Sequence, residues 1–245
     1  MKKKLLIPLL GLLLLSACSK KAEQKPKIAL PSAQSILVKT SKTNFKTMHA
    51  TWQQTNSNRQ VLQKTTAKYS KAPLVLYANF TTDSNHYQLW IKGKHSYVKM
   101  EGTASEKWFK TSLSKSSSYS NLTGDAAKIA LMSFTSDAKL FKVAKNNKGY
   151  RLTYNGNSQK IWQDISDNQV ITSVIGLDLN EVKPKSSKIT IDTDSKSNLT
   201  SLKIDSKYSE SGQIKHLQFT ADQINQLPPL SVPKKVLASA VVLSD

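Results

Sequence analysis

The chain has 245 residues, a formal net charge of +20 at pH 7 and a single cysteine. One cysteine excludes a disulfide framework and a cysteine-rich metal site. The only arginines, Arg59 and Arg151, stand among 34 lysines, which suits diffuse attraction to an anionic surface better than bidentate phosphate recognition.

From the N-terminus, Met1-Lys2-Lys3-Lys4 precedes an apolar run from Leu5 to Ala17 and then Cys18. A basic start, an apolar stretch and small residues before a cut site form a secretory signal. The run covers 13 residues, whereas a bilayer span needs about 20. Leu15-Ser16-Ala17-Cys18 resembles the lipobox of bacterial prolipoproteins. That resemblance implies cleavage between Ala17 and Cys18 and a diacylglyceryl group on the Cys18 thiol. The mature protein would then be a palmitate-type lipoprotein at the extracytoplasmic face of the cell membrane. Residues 18–31, Lys-rich with Pro26 and Pro31, read as a tether reaching about 40 Å when extended. A domain is expected over 32–235 and a C-terminal tail over 236–245.

Ser32 is a candidate N-cap for a helix over 33–46, with Ile36, Leu37, Phe45 and Met48 along one face. Alternating segments follow at Val61–Tyr69, Leu74–Phe80, His86–Ile91, His95–Met100 and Lys107–Ser112, with Gly93 turning the chain between two of them. A second helix is expected over 125–137 and a shorter one over 158–165. Strands at Leu140–Ala144 and Tyr150–Tyr154 flank Asn146-Asn147-Lys148-Gly149, a good hairpin turn. Further strands are expected at Lys188–Asp192, Leu199–Tyr208 and Gln213–Thr220. Strands at hairpin spacing predict an α+β fold: one large curved antiparallel sheet, a half-barrel of about 10–11 strands, with two or three helices in its concave face. Residues 18–122 hold 17 lysines and arginines against 4 acids, and residues 123–245 hold 16 against 12, so the basic excess lies in the N-terminal half.

The order of motifs is similar to a known group. The lipobox and tether precede Ser32-Ala33-Gln34-Ser35-Ile36-Leu37, then Met48-His49-Ala50-Thr51-Trp52, Tyr97-Val98-Lys99-Met100, Lys107-Trp108-Phe109-Lys110 and Leu230-Ser231-Val232-Pro233. This resembles extracytoplasmic lipoproteins of the LolA-like superfamily, of the LppX and LprG type, over residues 32–235. The resemblance implies a half-barrel whose cavity binds acyl chains of lipids or lipoproteins, with no catalytic residues.

Enzymatic alternatives are weak. Ser96-x-x-Lys99, Ser112-x-x-Lys115 and Ser136-x-x-Lys139, with Ser166-Asp167-Asn168, imitate the motifs of penicillin-binding enzymes. With 32 serines and 34 lysines, such pairs are expected by chance, and the Lys-Thr-Gly element is absent. His86 and His95 are able to meet across the Gly93 turn as a surface metal site, but exposed strand histidines are the simpler reading. Glu101 and Glu106 flank a turn and suit solvent better than glycoside chemistry. No catalytic residue, metal or cofactor is therefore assigned. Alternation puts Leu76, Ala78, Phe80, Leu89, Ile91, Val98, Met100 and Trp108 on the buried face, opposite Ile129, Met132 and Phe134 of the second helix. These are the ligand-cavity candidates. The expected partners are the membrane, through Cys18, and a lipid or lipidated ligand, with no nucleic acid. A different possibility is a filled core, with the basic half meeting anionic wall polymer or a protein.

Overall fold

The computed structural model describes residues 29–82, 85–100, 107–113, 134–167 and 182–243. Two meanders meet in one open sheet. The first is β1 (Thr47–Asn56), β2 (Val61–Lys71), β3 (Leu74–Thr82), β4 (His86–Lys92), β5 (His95–Met100) and β6 (Phe109–Ser112). The second is β7 (Lys142–Lys145), β8 (Gly149–Gly156), β9 (Val182–Asp194), β10 (Leu199–Glu210) and β11 (Gln213–Asp222). β1 pairs antiparallel with β11 and joins them, His49 opposite Asp222 and Asn56 opposite Lys215. A short β12 (Val241–Val242) pairs parallel with β6, so the order is β12-β6-β5-β4-β3-β2-β1-β11-β10-β9-β8-β7. The expected fold class, a curved antiparallel sheet with few helices, is the observed one.

Side chains alternate across a strand, so register alone decides which face is apolar. One face, called inner below, carries Met48, Ala50 and Trp52 of β1, Leu76, Ala78 and Phe80 of β3, Ile189 and Ile191 of β9, and Leu217, Phe219 and Ala221 of β11, all buried in one cluster. That cluster is closed by Ile36 and Leu37 of α1 (Ala33–Thr40), by Ala138 of a 3₁₀ turn (Thr135–Leu140), and by Ile161, Trp162 and Ile165 of α2 (Gln159–Ser166).

Helix α1 is shorter than its periodicity suggests. Ser32 caps it, accepting a hydrogen bond from the Ser35 amide at 3.2 Å. It ends at Thr40, where the Thr40 hydroxyl donates to the Ile36 carbonyl at 2.9 Å and the Thr43 hydroxyl to the Thr40 carbonyl at 2.7 Å. Such local hydroxyl bonds compete with continued helix. Phe45 and Met48 are still buried, but from a loop and from β1. Of the helix expected over 125–137, only the end lies among the described residues, and Thr135–Leu140 is 3₁₀. The 146–149 hairpin is found, with the Asn146 side-chain oxygen accepting from the amides of Lys148 and Gly149 at 2.9 and 2.6 Å.

The C-terminal segment departs from the expected tail. α3 (Lys234–Ser239) lies on the outer face, where Val232 and Val236 pack with Val75 and Tyr97, flanked by Trp90, Trp108 and Ala240. The Val241 amide donates to the Trp108 carbonyl at 2.8 Å. Residues beyond 235 thus contribute a strand and apolar cover to the sheet.

Gly149 shows how tightly the sheet is drawn. A Cβ there would sit 2.2 Å from the Asp194 carbonyl carbon, whereas one on Gly93, at φ +58°, meets open space. Gly149→Ala is expected to cost about 2 kcal/mol or more by overpacking backbone, against about 1 kcal/mol of left-handed strain for Gly93→Ala. Urea unfolding of the two variants checks this order.

Candidate ligand-binding site

Four alanines stand side by side on the inner face. Ala221 of β11 faces Ala50 of β1, Ala50 faces Ala67 of β2, and Ala67 faces Ala78 of β3. All are buried, from 0% exposed at Ala221 to 7% at Ala67. With strands ~4.8 Å apart, they form a low strip about 15 Å long that crosses the strands. Large side chains wall it on both sides. Phe219, Trp52, Thr65, Phe80 and Tyr87 are successive partners along one wall. Within it, the Trp52 and Phe219 rings are 5.3 Å apart and Phe80 stacks on Tyr87 at 4.4 Å. Met48, Tyr69, Leu76 and Ile91 make the other wall. The row is therefore lower than its two walls, an apolar trough in the sheet surface that the rest of the core covers. The indole nitrogen of Trp52 is buried with no hydrogen-bond partner among the described residues.

Beyond the aromatic wall the inner face turns polar. Ser187 and Ser206 share a hydrogen bond of 2.8 Å. Gln54 donates to the Tyr208 hydroxyl at 2.6 Å, and Gln63 donates to the Gln54 carbonyl oxygen at 3.2 Å. Burial is the main cause that pushes the Tyr208 hydroxyl pKa up to about 12. Lys215 is ion-paired with Glu210. Polarity therefore rises along the strands beyond the aromatic wall, with Ser187, Ser206, Gln54 and Tyr208 still buried.

The residues chosen from alternation separate into three groups. Leu76, Ala78, Phe80, Leu89, Ile91 and Phe134 lie in the inner cluster, and Val98 packs against it. Met100 shares that face, opposite Tyr87, but ends β5 and is 42% exposed. Trp108 belongs to the outer cluster, because Phe109 is the residue paired with Val98 and its predecessor must point the other way. Ile129 and Met132 lie outside the described residues, as do Ala17, Cys18, Glu101 and Glu106. Ala50, Ala67 and Ala221 were not among the sequence candidates; their only signal is small size at inward positions, and pairing is needed to see a row.

Register removes one catalytic look-alike, and Lys115 and Asn168 of two others lie outside the described residues. Ser96 and Lys99 are three apart on β5 and so face opposite sides. Ser96 is fully buried and bonded to Thr111 at 2.6 Å. His95 pairs with Lys92 beside the turn, while His86 sits at the far end of that hairpin, 2.6 Å from the Asn79 amide oxygen. The two histidines do not meet. No group of three or more metal-ligating side chains occurs among the described residues.

An open antiparallel sheet with helices against one apolar face defines the class, and the family is matched over that same domain. The chain belongs to a family of unknown function, DUF6612, which it matches over residues 32–241. No curated protein matches it. Among solved structures it is similar to the Mycobacterium tuberculosis lipoprotein LppX, at 12% identity over 82% of this chain and 98% of that one, with a TM-score of 0.43. It is also similar to an uncharacterized conserved protein from Thermus thermophilus, at 10% identity over 86% and 99% of the two chains and a TM-score of 0.33. A DUF1329 family protein from Desulfovibrio piger matches at 10% identity over 80% and 93%, with a TM-score of 0.24.

One carboxylate among the covering elements titrates abnormally. Burial, with Asp137 and Asp167 nearby, raises the Asp164 pKa to about 6, and its Oδ2 is buried without a hydrogen-bond partner among the described residues. A folded-state pKa above the unfolded value of about 4 means that the protonated form stabilises the fold. That contribution is full below about pH 4 and is lost as pH rises through about 6. Asp164→Asn is expected to flatten this part of the melting-temperature profile and to raise the melting temperature at pH 7.5. A profile unchanged between pH 4 and 7.5 would contradict it.

Proposed function

We propose that this protein is a membrane-anchored, extracytoplasmic lipoprotein, not an enzyme, that binds or transfers an acyl-chain ligand on its inner face. The alanine trough carries the reading. Side chains reduced to one methyl stand in line over four adjacent strands, between walls of aromatic and aliphatic groups. Each methylene moved from water into such a site contributes about 0.8 kcal/mol, so an extended chain binds without any charged contact. The hydroxyls and amides beyond the aromatic wall suit a polar head group. The lipobox residues Leu15-Ser16-Ala17-Cys18 supply the anchor, and two acyl chains suffice for stable attachment.

Native mass spectrometry before and after organic extraction tests the ligand. The expected result is a lipid adduct in the unextracted protein and a melting temperature that rises when lipid is returned. Ala67→Phe, placed mid-trough, is expected to abolish the adduct while the far-ultraviolet spectrum stays native. A close-packed interior, no adduct and no response to lipid would overturn the reading in favour of a surface interaction module.

The anchor has its own test. Cys18→Ala is expected to prevent metabolic labelling with a palmitate analogue and to move the protein from the membrane fraction. Retention with undiminished label would refute lipidation at Cys18.

A further inference from the structure

Most of the sheet's outer face is polar, and one part of it is built as a furrow. Thr190, Lys203, Thr220, Thr51 and Thr66 are successive cross-strand partners from β9 to β2. The neighbouring row runs Lys188, Asp205, Gln218, Gln53 and Lys64 over the same strands. Between the rows lies a groove of about 350 Å³. Lys64, Lys188 and Lys203 are exposed, and Asp205 is the one acid in the two rows. Ile204 and Phe219 border the groove, but their side chains are buried on the inner face. The outward groups are hydroxyls, amides, ammonium ions and the Asp205 carboxylate.

We propose that this furrow, spanning β9, β10, β11 and β1, binds a linear hydroxylated polyanion, independently of any ligand on the inner face. Three observations select that partner. Cationic excess in the rows complements repeated negative charge. Hydroxyls and amides recur at the ~4.8 Å strand spacing, so a chain laid across the strands meets a donor or acceptor at each step. No apolar side chain projects from the furrow, so nothing there would enter a bilayer as surface-binding elements do. Lysine is a point charge that accepts phosphate or carboxylate alike, so the shared chemistry is a polyol or sugar chain bearing either group. A second groove on the same face, about 510 Å³, adds Lys148 and the amides of Asn146, Asn147, Gln223 and Gln226. Its Arg151 is already held by Asp192, with contacts of 2.7 and 2.9 Å.

The test uses the full lipid-anchored protein in phosphatidylcholine vesicles and measures cosedimentation of poly(glycerol phosphate) and of polygalacturonate. Binding of at least one polymer is expected, and whichever binds identifies the anion. Lys188→Gln with Lys203→Gln is expected to weaken it roughly tenfold, and added salt at ~0.5 M to remove most of it. Lys234→Gln with Lys235→Gln removes the same charge from α3 and is expected to change affinity less than about twofold. Equal losses from the two pairs would reduce the furrow to diffuse charge and overturn the proposal. So would failure of both polymers, or clustering with phosphatidylglycerol vesicles in place of polymer binding.

Discussion

The pairing of β1 with β11 is the contact on which the rest depends. Each meander alone is a ribbon of five or six strands with an apolar face and an exposed edge. When His49 to Asn56 aligns with Asp222 to Lys215, the two apolar faces become continuous. The pairing is also highly non-local, joining the first strand to one that begins more than 150 residues later. Such contacts carry a large loop-closure cost before they return any burial. The cost is offset because this one register brings Trp52 onto Phe219 and Ala50 beside Ala221. A slip of one residue would turn every side chain of one meander to the wrong face.

The trough and the furrow are two consequences of that register, on opposite sides of the same strands. Trp52 and Ala50 point inward, and Thr51 and Gln53 between and beyond them point outward. An apolar floor and a polar, basic roof are thus encoded by one alternating run. The C-terminal segment completes the arrangement by covering the outer aromatics at the β3–β6 side with Val232 and Val236. Without that cover, Trp90 and Trp108 would form an apolar patch on an otherwise polar face.

Much of this architecture is legible in the chain. Alternation locates nearly every strand because each has one buried face, and a buried face forces period two. The 146–149 turn is legible because Asn146 bonds its own loop. Where the structure departs from the pattern, the causes are local. Periodicity alone overextends helix α1, because Phe45 and Met48 fit a helical period while the Thr40 and Thr43 hydroxyls end the helix. Alternation alone puts Trp108 on the inner face, whereas the pairing of Phe109 with Val98 sets the phase of β6 and turns Trp108 outward. The strand at 241–242 is two residues long, too short to show a period.

The residues by themselves determined the basic charge, the antiparallel class and the resemblance of Leu15-Ser16-Ala17-Cys18 to a lipobox, since each rests on local composition or short-range alternation. Tertiary structure alone decided the alanine row on which the proposed site rests. Ala50, Ala67, Ala78 and Ala221 are unremarkable where they stand in the chain, separated by 11 to more than 140 residues. They become a trough only because hydrogen-bonded register across four strands sets them in one line, and register is a property of paired strands, not of any segment read alone.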